Sequence, residues 1–554
     1  MKNCENHPKF INRSKSYYIV YMICIIFMYA CNVANDETAF DRVVSYYETK
    51  GDTLKAEAAN YLRQYVIYHE GVVRRQVDRE GQTTHLGYPA IFQLSPDSIV
   101  APADSDRFQK SLIDRLGYHI VTDSSKTDLC AMTDDFLREN IDLAFDSWQQ
   151  PWARDVSFPD FCKYILPYRN GDEQLNDWRR RFKERYEATI VDSVSNSHDV
   201  RKVSEYILRC LRREVAYGPR TGALTEDLLT PDEMERLHWL GCRACAHYTT
   251  LALRACGIPC GMIEMHWRFT EVVHFSVLVP AVGSNHQAFR ITIGDETMDM
   301  GLPKDTMATW RTWMYTYAPN ERLLDLQAEG RRKGSRLMEQ LAMPVCREDV
   351  TSQLCTTFDF SRPVPDSLRS ERYLYLCRFY RWKWLPVREG IVRGDSVYFN
   401  DATIRQLYRL ATIRCNRVVP IGGLFTLVGD SALSDDQQRI RLYDHSGDTV
   451  LFKRVYHCEH DEQHLSRNIT TYYWDPNNHW HPITRQALLW GFNERTGEYR
   501  MFSEPLRRRG FFPVFHLMEL YMPRWTVFTD DETPRTIGFI AADSVSGIGY
   551  TMEF

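Results

Sequence analysis

The hydrophobic pattern of this chain changes its period at Pro259, and this change limits the folds that the chain can adopt. Before Pro259, apolar residues recur at helical spacing in residues 54–65, 136–148 and 203–211. After it, short apolar runs of strand length follow one another between turn-forming residues. Helices concentrated in one part of a chain and strands in another are typical of an α+β protein.

Capping residues and strand-length runs give this pattern its detail. Asp52 and Thr133 stand directly before two of the helical stretches, where their side chains can cap a helix. The runs at residues 262–267, 272–279 and 289–293 predict three consecutive strands after the helix that begins near residue 242. We therefore expect helices that pack around the residue-242 helix, followed by a sheet.

The last third of the chain has the pattern of a β-rich module. Helical spacing returns at residues 307–343, where a basic run and Gly334 indicate a solvated face or a helix break. From about Ser361, aromatic-rich runs alternate with turn signals, which predicts a sandwich-like or jelly-roll-like module. The predicted strands are residues 373–384, 396–399, 424–428, 440–443 and 449–455.

Length and composition indicate a globular protein of several units. A chain of 554 residues is too long for one ordinary hydrophobic core. Its 44% of apolar and 25% of charged residues are typical of soluble globular proteins. The formal net charge of -5 gives no reason to expect a nucleic-acid partner. The oligomeric state is left open by these properties.

The first 31 residues have the features of an export signal. Basic residues precede an apolar run at residues 17–29, which is short for a membrane-spanning helix. The tetrapeptide that ends in Cys31 resembles a bacterial lipobox, whose cysteine carries the lipid. We expect a lipid-anchored protein of the cell envelope, in the outer membrane of a Gram-negative bacterium. A plain secretory signal and an uncleaved anchor are the alternatives.

The 15 cysteines are too sparse in a chain of this length for a disulfide scaffold. We expect most cysteines to be isolated buried thiols, and one or two disulfide bridges are the open alternative. The residues expected as isolated buried thiols are Cys162, Cys210, Cys377 and Cys415. Cys242 and Cys245, and Cys256 and Cys260, have spacings that occur in metal sites, but a predicted helix links the two pairs. We therefore expect no metal ion and no cofactor.

Cys242, His274 and Asp295 follow one another in the order of a catalytic triad. Cys242 stands at the predicted start of a helix, where the helix dipole stabilises the thiolate that attacks a substrate. His274 lies in a predicted strand and Asp295 ends the next strand, so the imidazole could take the thiol proton and the carboxylate could orient it. Each residue taken alone also has a structural interpretation as a core thiol, a strand residue or a turn.

Three other residues are alternatives for the roles of acid and base. Asp299 could replace the aspartate, and His247 or His266 could replace the histidine. His247 lies five residues after Cys242 and points to a different face of the helix, so it is a poor partner. His266 alternates with its neighbours in a predicted strand and could simply be exposed.

Residues 241–259 resemble the motif of the transglutaminase-like superfamily, in which the cysteine is followed by an arginine and then by Gly-Ile-Pro. Arg254 and Gly257-Ile258-Pro259 stand at the matching offsets. Similar segments extend over about residues 40–320 and resemble large exported bacterial lipoproteins of this type. Two positions differ from the motif: Gly241 directly precedes Cys242, and Ser276 replaces the tryptophan that the family has two residues after His274.

The resemblance implies a papain-like core, with the cysteine on a helix and the histidine and aspartate on an antiparallel sheet. The regions expected are a signal peptide (1–31), a mainly helical region (32–198), the transglutaminase-like core (199–325), a connector (326–360) and one or more β-rich modules (361–554). A cysteine hydrolase or acyltransferase would then act on peptide-like or glycan-linked substrates through an acyl-enzyme. Hydrolysis is favoured over crosslinking, because water outcompetes an amine unless the site holds an acceptor.

The alternative function is that of an inactive surface lipoprotein that binds a glycan or a protein through its β-rich module. Aromatic side chains can stack on sugars, although strand packing uses them more often. The aromatic residues considered are Trp382, Trp384, Tyr472, Tyr473, Trp474 and Trp480. Selective labelling of Cys242 would separate the two hypotheses, because only the enzyme needs a reactive thiol.

Overall fold

The chain is a mixed helix and strand protein with antiparallel sheets. The structure is a computed structural model, and it describes residues 37–77, 119–194, 198–217, 230–237, 239–267, 273–282, 287–293, 309–380, 383–403, 406–429 and 440–444, with eight short strands after them. The predicted signal segment with Cys31 lies outside these residues. In the part that is described, no helix is long and apolar enough to cross a membrane.

Helices dominate the described chain up to residue 255, as the period of the sequence predicts. Asp52 and Thr133 cap their helices by accepting hydrogen bonds from the backbone N–H groups of Lys55 and Phe136. All three predicted helical stretches are confirmed. The helices are α1 (Ala39–Thr49), α2 (Thr53–Tyr65), α3 (Asp128–Ala131), α4 (Asp134–Trp148), α5 (Phe158–Tyr164), α6 (Trp178–Ser193), α7 (Val200–Glu214), α8 (Pro231–Leu237) and α9 (Cys242–Ala255).

Two small pairs of strands lie among these helices. Strands β1 (Glu70–Val77) and β2 (His119–Thr127) pair in antiparallel fashion. Strands β3 (Ala216–Tyr217) and β4 (Trp239–Leu240) pair in parallel, and β4 leads through Gly241 directly into α9. The start of α9 is therefore tied to the end of α7 through this short ladder.

A five-stranded antiparallel sheet follows α9, with the strand order β7-β6-β5-β8-β9. The three strands predicted after Pro259 are confirmed, with small differences at their ends. The strands are β5 (Gly261–Trp267), β6 (Val273–Val279), β7 (Phe289–Ile291), β8 (Thr309–Tyr315) and β9 (Arg347–Asp349). The prediction of helix from residue 307 was wrong for β8, because its apolar residues at 310, 313 and 314 also fit a helical spacing.

The remainder of the segment predicted as helical does form helices. Helix α10 (Glu321–Lys333) ends where the basic run meets Gly334, whose φ of 61° is left-handed. Helix α11 (Arg336–Ala342) follows, and the short helix α12 (Thr351–Leu354) comes after β9. The predicted helix break at Gly334 is therefore confirmed.

A seven-stranded antiparallel sheet with the order β10-β13-β12-β11-β14-β15-β16 begins the β-rich part. Its strands are β10 (Thr357–Pro363), β11 (Tyr373–Tyr380), β12 (Lys383–Arg393), β13 (Ser396–Thr403), β14 (Gln406–Arg414), β15 (Arg417–Gly429) and β16 (Ile440–Asp444). Strand β14 was not predicted, and the predicted strand at residues 449–455 lies outside the described residues.

Two further sheets, of three and five strands, follow in the sequence. The strands are Tyr456–His457, Thr471–Trp474, Trp480–Pro482, Ala487–Asn493, Glu498–Leu506, Thr526–Thr529, Phe539–Ala541 and Gly549–Thr551. The aromatic side chains considered for glycan binding all lie outside the described part of the chain, namely those of Trp382, Trp384, Tyr472, Tyr473, Trp474 and Trp480.

The two sides of the five-stranded sheet have different neighbours, because side chains alternate along each strand. On one side, which we call the helix side, sheet residues pack with α9; they are Met262, Val277, Val279, Phe289 and Ile291. On the opposite side, which we call the far side, sheet residues pack with Tyr164 and α12; they are Ile263, Met265, Leu278 and Met314. This distinction determines which polar residues can lie near the start of α9.

A buried ionic network joins the five-stranded sheet to the seven-stranded sheet. The guanidinium of Arg311 on β8 donates to the carboxylate of Glu389 on β12, at 2.7 and 3.2 Å. It also donates to Asp349 on β9 at 2.9 Å, and Arg388 donates to the same Asp349 oxygen at 2.7 Å. Arg322 of α10 completes the network, with its Nε 3.0 Å from Glu389.

Candidate functional site around Cys242

Cys242 is the first residue of α9 and is half-buried. Gly241 before it has an extended backbone, and its carbonyl accepts the N–H of Cys245 at 2.9 Å, which closes the first helical turn. No side chain caps this end of the helix through a hydrogen bond. The positive end of the helix dipole therefore lies at the half-buried residue Cys242.

Cys245 differs from Cys242 although it lies only one turn away. It is buried, and its Sγ lies 3.6 Å from the carbonyl oxygen of Leu240. Burial raises the pKa of the Cys245 thiol well above its usual range. Cys256 and Cys260 are also buried, and burial raises their pKa values as well. Of these four cysteines, Cys242 is therefore the one that is not buried.

Arg254 and Gly257, which carry the resemblance together with Cys242, hold the helix in place. Arg254 is buried, and its guanidinium donates to the carbonyl oxygens of Cys260 at 3.1 Å and Arg169 at 3.2 Å. Gly257 has a φ of 78°, and a Cβ there would stand 2.3 Å from the carbonyl oxygen of Ser147. Only glycine fits this helix end, so both positions serve the placement of α9.

His247, an alternative base, belongs to the interior. It is fully buried, and its Nδ1 lies 3.2 Å from the side-chain nitrogen of Asn170. The nearby Glu173 accepts the backbone N–H groups of Asn170 and Gly171, each at 2.8 Å. Burial lowers the pKa of His247, although the charge of Glu173 opposes this effect. His247 is therefore a buried interior group.

His274 is placed on the far side of the sheet by the register of its strand. It stands opposite Met265, and it alternates with Phe275 and Val277, which pack with α9. Burial lowers the pKa of His274 to about 4, and the charge of Arg290 adds to the effect. Arg290 itself extends along the far side, with its guanidinium nitrogen 4.0 Å from the Met265 sulfur. The described geometry does not bring His274 to the side on which α9 packs.

The predicted acids cannot be placed relative to these residues. Asp295 and the alternative Asp299 both lie outside the described part of the chain. The triad of Cys242, His274 and Asp295 therefore stays a prediction from the sequence.

The helix side carries a different pair of polar residues, Glu264 and His266. The two alternate with Met265 along β5, so both point toward the helix side. The Nε2 atom of His266 lies 2.7 Å from Oε1 of Glu264, which is an ion-pair distance, although the geometry is not that of a straight hydrogen bond. The hydroxyl of Tyr315 on β8 donates to the other Glu264 oxygen at 2.7 Å.

The Glu264 carboxylate is strongly held in its ionised form. Burial alone would raise its pKa, but the contacts with His266 and Tyr315 and the charge of Arg347 bring the pKa down to about 2. The ring of His266 also lies against Trp310, with 4.7 Å between ring centres. The pair therefore combines a fixed anion with an imidazole of defined position.

Arg243 connects this pair with the start of α9. Its guanidinium carbon lies 5.7 Å from the centre of the Phe275 ring, and Phe275 stands directly opposite Glu264 in the β5–β6 register. The positive charge of Arg243 also acts on Tyr315, the partner of Glu264. The residue next to Cys242 therefore reaches the sheet positions beside Glu264. The sequence pattern singles out His266 but not Glu264. The Glu-X-His spacing in a strand is the signal for Glu264, because it places both side chains on the same side of the sheet.

The remaining cysteines give no metal site or bridge in the described residues. No group of three or more His, Cys, Asp or Glu residues there could hold a metal ion, and every cysteine there is unbridged. Cys162 and Cys377 are buried as predicted, and Cys210 is half-buried. The prediction was wrong for Cys415, which is exposed because it lies in the turn between β14 and β15, with a φ of 48°.

Comparisons with known proteins add no family to this geometry. A scan against models of protein families gives no match, and a search of curated proteins gives none either. The likeness to the transglutaminase-like superfamily thus depends on the motif residues themselves.

Proposed function

We propose that the chain is a cysteine-nucleophile enzyme of the transglutaminase-like type, which attacks amide or ester bonds of peptide-like substrates. The observation that carries the proposal is the contrast among the four cysteines of residues 242–260, of which only Cys242 is half-buried and stands at the first residue of α9. A helix with a buried body that packs on an antiparallel sheet also supports the papain-like core proposed for residues 199–325.

The proposed reaction proceeds through an acyl-enzyme. The Cys242 thiolate adds to the substrate carbonyl carbon, and the positive end of α9 stabilises the oxyanion that forms. The intermediate expels an amine or an alcohol, which takes the proton that the thiol had given to a base. Water then adds to the thioester while the base takes one of its protons, the carboxylic acid leaves, and the thiolate and the protonated base are restored. Transfer to an amine would follow the same course with an amine in place of water.

The proposal includes a location at the cell envelope and a sandwich-like β module after residue 360. The location is supported by the lipobox-like tetrapeptide before residue 32, and the module by the antiparallel sheet order of β10 to β16. Replacement of Cys31 by serine should abolish the incorporation of radioactive palmitate in a Gram-negative host. Incorporation that persists in Cys31→Ser would contradict lipid attachment at this residue.

An acylation experiment tests the proposed nucleophile. Incubation of the purified protein with p-nitrophenyl acetate should give a burst of p-nitrophenol and a covalent acetyl adduct, which mass spectrometry of peptides places at Cys242. Cys242→Ala should lose both signals. Cys210→Ala is the matched control, because Cys210 is also half-buried but lies inside α7, away from a helix start.

Two results would contradict the proposal. One is an adduct of the same yield in folded Cys242→Ala, and the other is a parent protein that acquires no adduct at all. The second result would support the alternative of an inactive surface protein that binds a ligand through its β-rich module.

A further inference from the structure

We propose that helix α8 is a flap that opens in acid, while the helices around it stay folded. A cluster of carboxylates and their partners, which we call the clasp, holds the flap closed at neutral pH. The residues of the clasp are Arg181, Arg185 and Tyr186 of α6, Glu214 of α7, Asp232 and Glu235 of α8, and Tyr248 of α9. This inference goes beyond the proposed function and does not depend on it.

The connection that carries α8 begins and ends at one short ladder. It leaves β3 at Tyr217 and returns to β4 at Trp239, and these two strands pair in parallel. The helix that the structure describes between them is α8. Because the ladder fixes both ends of the connection, α8 can move while the strands stay in place, as in a hinged flap. Gly241 and Cys242 follow β4 directly, so the flap adjoins the start of α9 in the sequence.

Polar contacts join α8 to the helices around it. Among the α8 side chains that the structure describes, Met234 alone belongs to the hydrophobic cluster around α9. Glu235 has more partners: its Oε1 accepts Nη1 of Arg185 at 2.9 Å and the hydroxyl of Tyr248 at 2.7 Å. Arg181 donates to the other oxygen of Glu235. The carboxylate of Glu235 therefore ties α8 to both α6 and α9.

Glu214 of α7 shares its partners with Glu235. Its Oε2 accepts the same Nη1 of Arg185 at 2.9 Å and the same hydroxyl of Tyr248 at 2.7 Å. A hydroxyl has one hydrogen, so Tyr248 donates to one of the two carboxylates at a time. When Glu235 loses its charge, Arg185 and Tyr248 still have Glu214 as a partner. The contacts among α6, α7 and α9 therefore persist when α8 is released.

Glu235 is the titrating group that connects the flap with pH. Burial alone would raise its pKa, but the hydrogen bonds from Arg185 and Tyr248 and the charges of the two arginines bring it below the ordinary 4.5. Its stabilising contribution is fully present above pH 4.5 and is lost as the pH falls through the lower pKa of the folded state. Asp232, the other acid of α8, has a side chain that is 64% exposed, so its ion pair contributes little. Glu389 between the two sheets has a pKa of about 2, so that network stays ionised well below pH 4.5.

Hydrogen exchange over a pH series tests the inference in the parent protein. Amide exchange of the full chain should be measured by mass spectrometry between pH 3 and 7, with each rate corrected for the intrinsic pH dependence of exchange. Peptides from α8 should lose protection by about tenfold or more as the pH falls below 4.5. Peptides from α6, α7 and α9 should keep their protection over the same range.

Glu235→Gln and Glu214→Gln are matched variants, because both carboxylates share Arg185 and Tyr248 as partners. Glu235→Gln should raise the exchange rate of α8 by about tenfold or more already at pH 7, and it should remove the pH dependence. Glu214→Gln should raise the exchange rate of α8 several-fold less, because Glu235 keeps its own partners. Circular dichroism establishes that each variant is folded.

Three results would overturn the inference. The first is protection of α8 in the parent that does not change with pH, and the second is a loss of protection in α8 and α9 together. The third is an equal exchange rate of α8 in folded Glu235→Gln and Glu214→Gln. These measurements need no substrate, so they are independent of the role of Cys242, which the reaction with p-nitrophenyl acetate tests separately.

Discussion

Replacement of Glu389 by glutamine should destabilise the protein strongly, because it breaks the ionic network between the two sheets. The carboxylate of Glu389 receives two bonds from Arg311, and the side chains of these residues are only 5% and 8% exposed. Removal of one partner from a buried pair costs about 3–5 kcal/mol when the other charge is left uncompensated, and here Asp349 still compensates part of the charge of Arg311. The glutamine oxygen still accepts one bond, so we expect a loss of about 3 kcal/mol in the free energy of unfolding.

Asp325→Asn is the matched control for this change. Asp325 and Arg372 form an ion pair of 2.6 Å, but their side chains are 56% and 51% exposed. Exposed pairs contribute about 0–1 kcal/mol, so the same loss of a charge should have little effect there. The two variants therefore compare ion pairs of nearly equal length that differ mainly in burial.

Urea unfolding, followed by circular dichroism and by tryptophan fluorescence, measures both variants. Burial alone would raise the pKa of Glu389, but Arg311 and the other arginines bring it down to about 2 from the ordinary 4.5. The stabilisation by this carboxylate is therefore fully present above pH 4.5 and is lost as the pH falls toward 2. If Glu389→Gln is no less stable than Asp325→Asn at pH 7, the reasoning is refuted.

Further predictions concern a glycine and a histidine. In urea unfolding, Gly257→Ala should lower the free energy of unfolding several-fold more than Gly51→Ala does. The φ angles of the two glycines are similar, at 78° and 73°, but only at Gly257 would a Cβ meet another atom, the Ser147 oxygen at 2.3 Å. Equal losses in the two variants would contradict this reasoning. His69 should remain neutral at pH 6 in an NMR titration, because burial lowers its pKa to about 4 from 6.5. Its contribution to stability is present above pH 6.5 and is lost as the pH falls toward 4; a midpoint near 6.5 would disprove it.

Local patterns in the sequence were sufficient to predict most of the elements around Cys242. The caps at Asp52 and Thr133 are local hydrogen bonds, so the residue type alone indicates them. The strand at residues 309–315 could not be recognised in this way. Its aromatic residues satisfy a helical spacing as well as an alternating one, and only pairing with β5 and β9 decides between the two.

The candidate site was predictable in part. Cys242 could be singled out because it starts a helix, which is a property of one segment. The choice between His266 and His274 depends on which side of a sheet each faces, and that depends on the register of β5 and β6 against α9. A shift by one residue would exchange the two sides, and no feature of either segment alone encodes it. Exposure was misjudged at Cys415 for a related reason, because the hairpin that carries it is set by strand pairing.

The parallel ladder of β3 and β4 has a consequence for how this protein could diversify. The ladder holds the chain immediately before Gly241. Helix α8 in the preceding stretch is also fixed, because Met234 packs in the core and Glu235 accepts the hydroxyl of Tyr248 at 2.7 Å. Residues 218–229 could therefore gain or lose length, or accept an inserted reporter peptide, while the nucleophile keeps its place. A recognition element for new substrates could therefore arise there without cost to the chemistry.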